Sequence, residues 1–424
     1  MGEIDSTERL GPNLERIKRD ILSLSKEVSP GEADYTRLSF SEEDRKARDY
    51  VARLMREEAR LSVRIDPAGN LIGRKEGAKS GPAILMGSHI DTVRGGGRFD
   101  GMSGVIAAVE IARRMKEKGV ETVHPVEVVV FLAEEPSPFG LSTIGSRAMA
   151  GSLSPDLLHS LKDQTGRTLA KAIAEMGGDP ANLQEARRSS EDVLAYLELH
   201  IEQGPVLAAK GVPIGLVTGI VGISKGKVEV IGRSDHAGTT SMDLRRDALA
   251  AGSEIILALE RICAARAGVV GTVGKVEVYP NASNVVPGRV VLDVEVRSLQ
   301  EDRIEQAIVM FEEELERIKE KRGVHIEFEL RAGSRPVVFD PAMVKRITAA
   351  CEGLGIRYVE LSSGAGHDTN HMAEITQVGM IFIPSREGRS HSPEEWTAFG
   401  HVCLGAEILG QTLLGIDSEV AVEN

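Results

Sequence analysis

The chain has 424 residues and a formal net charge of -13, a length that suggests two or three domains around a sizeable core and a charge that would repel a phosphate backbone. With no basic stripe interleaved with aromatics, a nucleic-acid partner is excluded. The three cysteines, Cys263, Cys351 and Cys403, are too scattered for a disulfide framework or a thiolate zinc site. Neither an apolar leader in the first thirty residues nor a run of eighteen uncharged apolar residues is found, so a cytoplasmic protein outside the membrane is expected.

In chain order, residues 1–30 are charged and helical in pattern. An apolar run at 83–87 reads as a short strand, and residues 104–115 carry Val105, Ala108, Val109, Ala112 and Met115 at helical spacing. The segment 125–132, PVEVVVFL, is a β-branched buried strand. Strand, helix and strand in succession predict an α/β domain with a mixed, mostly parallel sheet covered by helices. Residues 156–192 read as a helical surface decoration of that domain.

The pattern changes near residue 212. Strands at 227–232, 271–279, 289–297 and 324–330 alternate with helices at 245–264 and 301–321, in the order βαββαβ. This predicts an inserted ferredoxin-like α+β layer for dimerisation, acting also as a lid. A helix at 341–354 and a strand at 379–383 return to the first style. The catalytic domain is therefore expected to be split, with 1–212 as its first part, 213–330 inserted and 331–424 as its second part. The tail from residue 416 is expected to fray.

Five places along the chain draw attention. His89 follows the 83–87 run and Ser88, two residues before Asp91, which faces the same way and can orient its imidazole. Asp100 follows a glycine turn, GGGRFDG, ahead of a helix. Glu134 and Glu135 end the 125–132 strand with carboxylates directed to different sides, which suits one as a ligand and one as a proton carrier. His200 sits on the polar face of YLELHIEQG, and His391 lies in a loop beyond the strand at 379–383. Singly, each has a plainer reading: a structural histidine, a helix-capping aspartate, a solvated strand end. Together, His89, Asp100, Glu135, His200 and His391 supply three imidazoles and two carboxylates, a donor set for zinc, manganese, cobalt or nickel, and one shared carboxylate suffices to bridge two ions.

These motifs resemble the zinc aminoacylase and carboxypeptidase clan, specifically its hydantoinase/carbamoylase branch. The resemblance is carried by GSHIDTV from Gly87, GGGRFDG from Gly95, EEPSPFGLSTIGSRAMAG from Glu134, ELHIEQGPVL from Glu198, DHAGTTSMDLRRDA from Asp235, NVVPG from Asn284, SGAGHD from Ser363 and IPSREGRSHSPEEW from Ile383. That branch includes N-carbamoyl-L-amino acid hydrolases, allantoate amidohydrolases and β-ureidopropionases. The resemblance implies two divalent ions, zinc foremost, bridged by Asp100, with His89 and His200 on one and Glu135 and His391 on the other. It makes Glu134 the general base and Asp91 the partner of His89.

It also implies that Arg297 binds a substrate carboxylate with Asn284 and the backbone at Gly366 assisting, that Gln203 contacts the ureido head, and that His236 stabilises the oxyanion from the partner subunit of a homodimer. His367 and Asp368 are expected behind the ligands. The implied substrate is a small carboxylate-bearing ureido compound. PSPFG after Glu135, and Arg386, Glu387 and Arg389 before His391, depart from the branch's usual pattern and bear on substrate identity. An aminoacylase or dipeptidase is the alternative within the clan, and a metal-dependent binding protein without catalysis the alternative outside it. A dinucleotide-binding oxidoreductase is set aside because GGGRFDG lacks the spacing G-x-G-x-x-G.

Overall fold

The computed structural model describes residues 9–28 and 35–422. The chain divides into two compact units, one of Met1–Thr218 with Phe339–Asn424 and one of Gly219–Val338. The strands, in chain order, are β1 (Ser62–Ile65), β2 (Leu71–Lys75), β3 (Ala83–His89), β4 (Val126–Phe131), β5 (Val193–Ile201), β6 (Ile214–Ile220), β7 (Gly222–Ile231), β8 (Asp235–His236), β9 (Val269–Tyr279), β10 (Val285–Val286), β11 (Arg289–Ser298), β12 (His325–Ser334), β13 (Val337–Val338), β14 (Tyr358–Ser363) and β15 (Gln377–Ile383).

In the first unit the strand order is β1-β2-β4-β3-β5-β15-β6, with β14 beside β6. The sheet is mixed: β4, β3, β5 and β15 run parallel at its centre, while β2 and β6 join them antiparallel. Every residue of β3 and β4 is buried, as continuous apolar runs require when helices cover both faces. Gly87 permits this packing, because a Cβ there would collide with the Val129 carbonyl of β4. The helix Met102–Lys118 turns Val105, Ala108, Val109, Ala112 and Met115 into the core and stops at Gly119, whose φ of 64° suits a residue without Cβ. The helix Phe399–Val422 adds Val402, Ala406, Leu409 and Leu413 to the same core. Its residues 399–419 are long and apolar enough to cross a bilayer by composition, yet over half of that stretch is buried in the unit.

The second unit is a βαββαβ arrangement with strand order β12-β7-β11-β9, all pairs antiparallel. The helices Ala248–Ala264 and Glu301–Arg322 share one core with this sheet. In the longer helix Ile304, Ala307, Ile308, Phe311, Leu315 and Ile318 recur at three- and four-residue steps and are buried, while charged residues take the outer face. Asp247 caps the other helix by accepting the Leu249 and Ala250 amides.

Three local expectations change. The inserted unit begins and ends later than 213 and 330, because residues 215–217 pair antiparallel with β15 of the first sheet and β12 extends to Ser334. The segment 156–192 is not one helical run. It is the short helices Pro155–Ser160 and Leu169–Glu175 and a 3-10 turn at Pro180–Ala186, interrupted where Gly166 and Gly177 take positive φ. The chain from 416 does not fray at once but stays helical to Val422, and Asp417 anchors it by accepting the Val123 and His124 amides. Of the expected N-terminal helix, Leu14–Val28 is described; residues 1–8 and 29–34, like 423–424, lie outside the described residues.

Candidate metal centre

The site forms where β3, β4, β5 and β15 end at their carboxyl edge, where an open α/β sheet places ligands. His89 is the last residue of β3 and is almost wholly buried. Its Nδ1 lies 3.0 Å from the Asp91 carbonyl. His200, near the end of β5, likewise sets Nδ1 2.9 Å from the Ile201 carbonyl. Donating Nδ1–H to a carbonyl leaves Nε2 as the lone-pair nitrogen on each ring, the tautomer a metal ligand needs.

Both Nε2 atoms face Asp100. Its Oδ1 is 3.0 Å from His200 Nε2 and 3.7 Å from His89 Nε2, and its Oδ2 is 3.1 Å from His391 Nε2. Glu135 Oε1 stands 3.3 Å from the same His391 nitrogen. Two donor clusters result, His89–Asp100–His200 and Asp100–Glu135–His391, with Asp100 common to both. Ligands at zinc distances in a tetrahedron lie about 3.4 Å apart, so these separations fit a cation within each cluster. The charge also fits: Asp91, Asp100, Glu134 and Glu135 are all buried here, and that much negative charge in one pocket calls for cations.

The local field supports the same reading. Burial alone would raise Asp100, but His200, His391 and His89 outweigh it and hold the carboxyl well below its ordinary range. His391 is lifted to about 10 by its hydrogen bonds with Asp100 and Glu135. Burial would lower His89, yet Glu134, Asp91 and Asp100 together raise it well above its ordinary value. Glu134 belongs to neither cluster; its Oε2 is 3.7 Å from His89 Nε2. Burial, with Glu135 and Asp368 adding to it, pushes its carboxyl well above the usual range against the pull of His89, which favours a group that takes up a proton.

Asp91 accepts the Glu134 and Glu135 amides at 3.3 and 3.1 Å and the Ser39 hydroxyl at 2.7 Å, so it ties the end of β3 to the end of β4. Gln203, at a positive φ of 55°, donates Nε2–H to Asp100 Oδ2 at 2.8 Å. Gly366 is exposed in the loop just before His367, whose ring meets His200 edge-on with centroids 4.5 Å apart. Burial and His200 hold His367 well below its ordinary value. Asp368 accepts the Ser146 hydroxyl at 2.6 Å.

Three further expected residues lie on the second unit, within the inserted segment. His236 and Asn284 come together where β8 and β10 pair, the Asn284 carbonyl accepting the Ala237 amide at 2.9 Å. Arg297, on β11, is ion-paired with Glu295 at 2.8 Å.

Sequence reasoning missed Glu395 and Ser390. Glu395 is buried; its Oε1 accepts the Phe99 and Asp100 amides at 2.8 and 3.1 Å, and its Oε2 is 2.9 Å from the Ser390 hydroxyl. Burial and the nearby Asp100 push its carboxyl up to about 7. It thus clamps the glycine turn that presents Asp100 to the loop that presents His391. It also missed Glu198, which accepts hydroxyls from Ser88 and Thr369 beneath the site and forms a third, fully buried cluster with His200 and His367.

Residues 85–415 match the family described as peptidase family M20/M25/M40. The chain is 43% identical over 400 residues to the N-carbamoyl-L-amino acid amidohydrolase of Geobacillus stearothermophilus, covering 94% of this chain and 97% of that one. It is 41% identical over 405 residues to the corresponding enzyme of Paenarthrobacter aurescens, with 95% and 98% covered. Among solved structures, an amidase of the hydantoinase/carbamoylase family from Burkholderia multivorans superposes with a TM-score of 0.90 at 32% identity, covering 96% of this chain and 98% of that one.

Proposed function

The chain belongs to peptidase family M20/M25/M40, in its hydantoinase/carbamoylase branch, and is a C–N hydrolase; on that footing we propose a binuclear amidohydrolase that cleaves the carbamoyl C–N bond of N-carbamoyl-L-amino acids or related ureido acids such as allantoate and β-ureidopropionate. The observation that carries this reading is the division of Asp100 between two donor clusters with Glu134 outside both. His89 and His200, Glu135 and His391, with Asp100 common to both sets, would hold two divalent cations, zinc foremost, which when bound would supply Lewis acidity and acidify a water.

Glu134 accepts the proton of the attacking water as its oxygen adds to the carbamoyl carbon, then delivers that proton to the nitrogen that leaves. The second C–N bond of the resulting carbamate breaks in turn, so the carbamoyl group ends as ammonia and carbon dioxide. Asp91 holds His89 in its ligating orientation and fixes the backbone of Glu134 and Glu135. Gln203 meets the ureido head, and the Gly366 backbone assists in binding the substrate carboxylate. On the inserted unit, Arg297 takes the substrate carboxylate with Asn284, and His236 stabilises the oxyanion within a homodimer. A cytoplasmic setting agrees with three free cysteines.

The test is an ammonia-release screen of metal-loaded protein over carbamoyl amino acids, allantoate and β-ureidopropionate, run beside acylated amino acids and dipeptides. Ureido acids are the expected substrates. Faster cleavage of acylated amino acids or dipeptides overturns the carbamoyl assignment in favour of an aminoacylase or dipeptidase, and turnover of none favours a binding protein.

A further inference from the structure

Both ends of the loop that carries Ser390, His391 and Glu395 line a cavity of about 530 Å³, within the size range of small-molecule sites. Its walls are apolar, built in part by Leu207, Val212, Pro213 and the ring of Trp396. Arg357 and Arg386 also line it, and no aspartate or glutamate does. Among the described residues, Arg357 spends one hydrogen bond on the Gly211 carbonyl at 3.0 Å, and Arg386 lies 5.8 Å from the centroid of Trp396. Neither guanidinium has a carboxylate partner among those residues, in a chain whose acidic groups outnumber its basic ones by 64 to 51. None of the five donors of the metal centre, nor Glu134 or Gln203, faces this cavity.

We propose that this cavity is a second small-molecule site, separate from the metal centre, for a compact organic carboxylate with an aromatic or aliphatic body. The two guanidinia offer forked donors to the carboxylate. The indole and the aliphatic wall take the body out of water. The wall is held in place from behind: the Ser385 hydroxyl accepts the Gln203 amide at 3.0 Å, and the Arg386 amide donates to the Trp396 carbonyl at 2.7 Å.

Trp396 is the only tryptophan of the chain, so intrinsic tryptophan fluorescence arises at this wall, where the ring also meets Phe99 edge-on with centroids 5.2 Å apart. The full chain is titrated with phenylacetate and with phenylacetamide, which keeps the body and removes the charge. A saturable fluorescence change with phenylacetate is expected, about tenfold weaker or more with the amide because a charge-assisted bond is lost. The same weakening is expected in an R357Q/R386Q double variant whose circular dichroism is unchanged. An R297A variant retains the phenylacetate response, which separates this site from the carboxylate contact proposed for the reaction. A response that does not saturate, that is equal for acid and amide, that survives the double substitution, or that disappears in R297A overturns the proposal.

Discussion

Glu134 and Glu135 are neighbours in sequence and both are buried, but they face different partners. Glu135 meets His391, whereas Glu134 stands beside His89 outside either donor cluster. Replacing Glu134 by Gln keeps its shape and removes its basicity. Glu134→Gln is therefore expected to retain its metal content, measured by elemental analysis, while turnover falls by about 10²–10⁴-fold; near-normal turnover would remove it as the base. Glu395 acts differently, since it holds two backbone amides and a hydroxyl rather than a reacting atom. Truncation in Glu395→Ala leaves those buried donors unsatisfied and loosens both Asp100 and the His391 loop. Metal affinity, measured by competition with a chromophoric chelator, is expected to fall about 10–100-fold, as for other groups that orient ligands; an unchanged affinity would show that the clamp is idle. The proximity of the five donors is legible in the sequence because each ends a recognisable strand or sits in the turn or loop beyond one. Glu395 is not legible. It follows Glu394, which is exposed and pairs with Arg389, and nothing in SPEEW tells a buried glutamate from a solvated one.

At the scale of elements, the central parallel strands carry the site, so their spacing sets the spacing of the ligands. Gly87 sits opposite Val129 in the β3–β4 ladder, with no room for a Cβ. Gly87→Ala is expected to force the two strands apart, costing about 1–3 kcal/mol and lowering the urea midpoint. Gly274→Ala, where nothing lies within 4 Å of the added carbon, leaves that midpoint unchanged; equal behaviour of the two variants would contradict this packing account. Buried strands and long amphipathic helices announced themselves through apolar runs and helical spacing. The short elements did not. β1 and β2 are four and five residues long, and β6 belongs to the first sheet only because its partner β15 arrives some 160 residues later, a pairing no local pattern reveals. The helix Phe399–Val422 went unread because it is apolar around much of its circumference, as befits an element within the core rather than on its face.

At the scale of the whole chain, the two units have separate cores, and the candidate metal centre is assembled entirely from the first. Its donors come from residues 89 to 391, so the centre exists only once both sequence segments of that unit have folded together. Cations that bind the folded chain and not the unfolded one stabilise it by mass action. The most direct measurement is a metal titration of the full, chelated chain, following bound metal, thermal midpoint and ammonia release from an N-carbamoyl-L-amino acid in one series. Two equivalents bound per chain, a rising midpoint, and turnover that appears as the second equivalent is taken up are the expected result. A single equivalent, or two equivalents whose uptake is unaffected by Asp100→Asn, would contradict a pair of cations sharing that carboxylate.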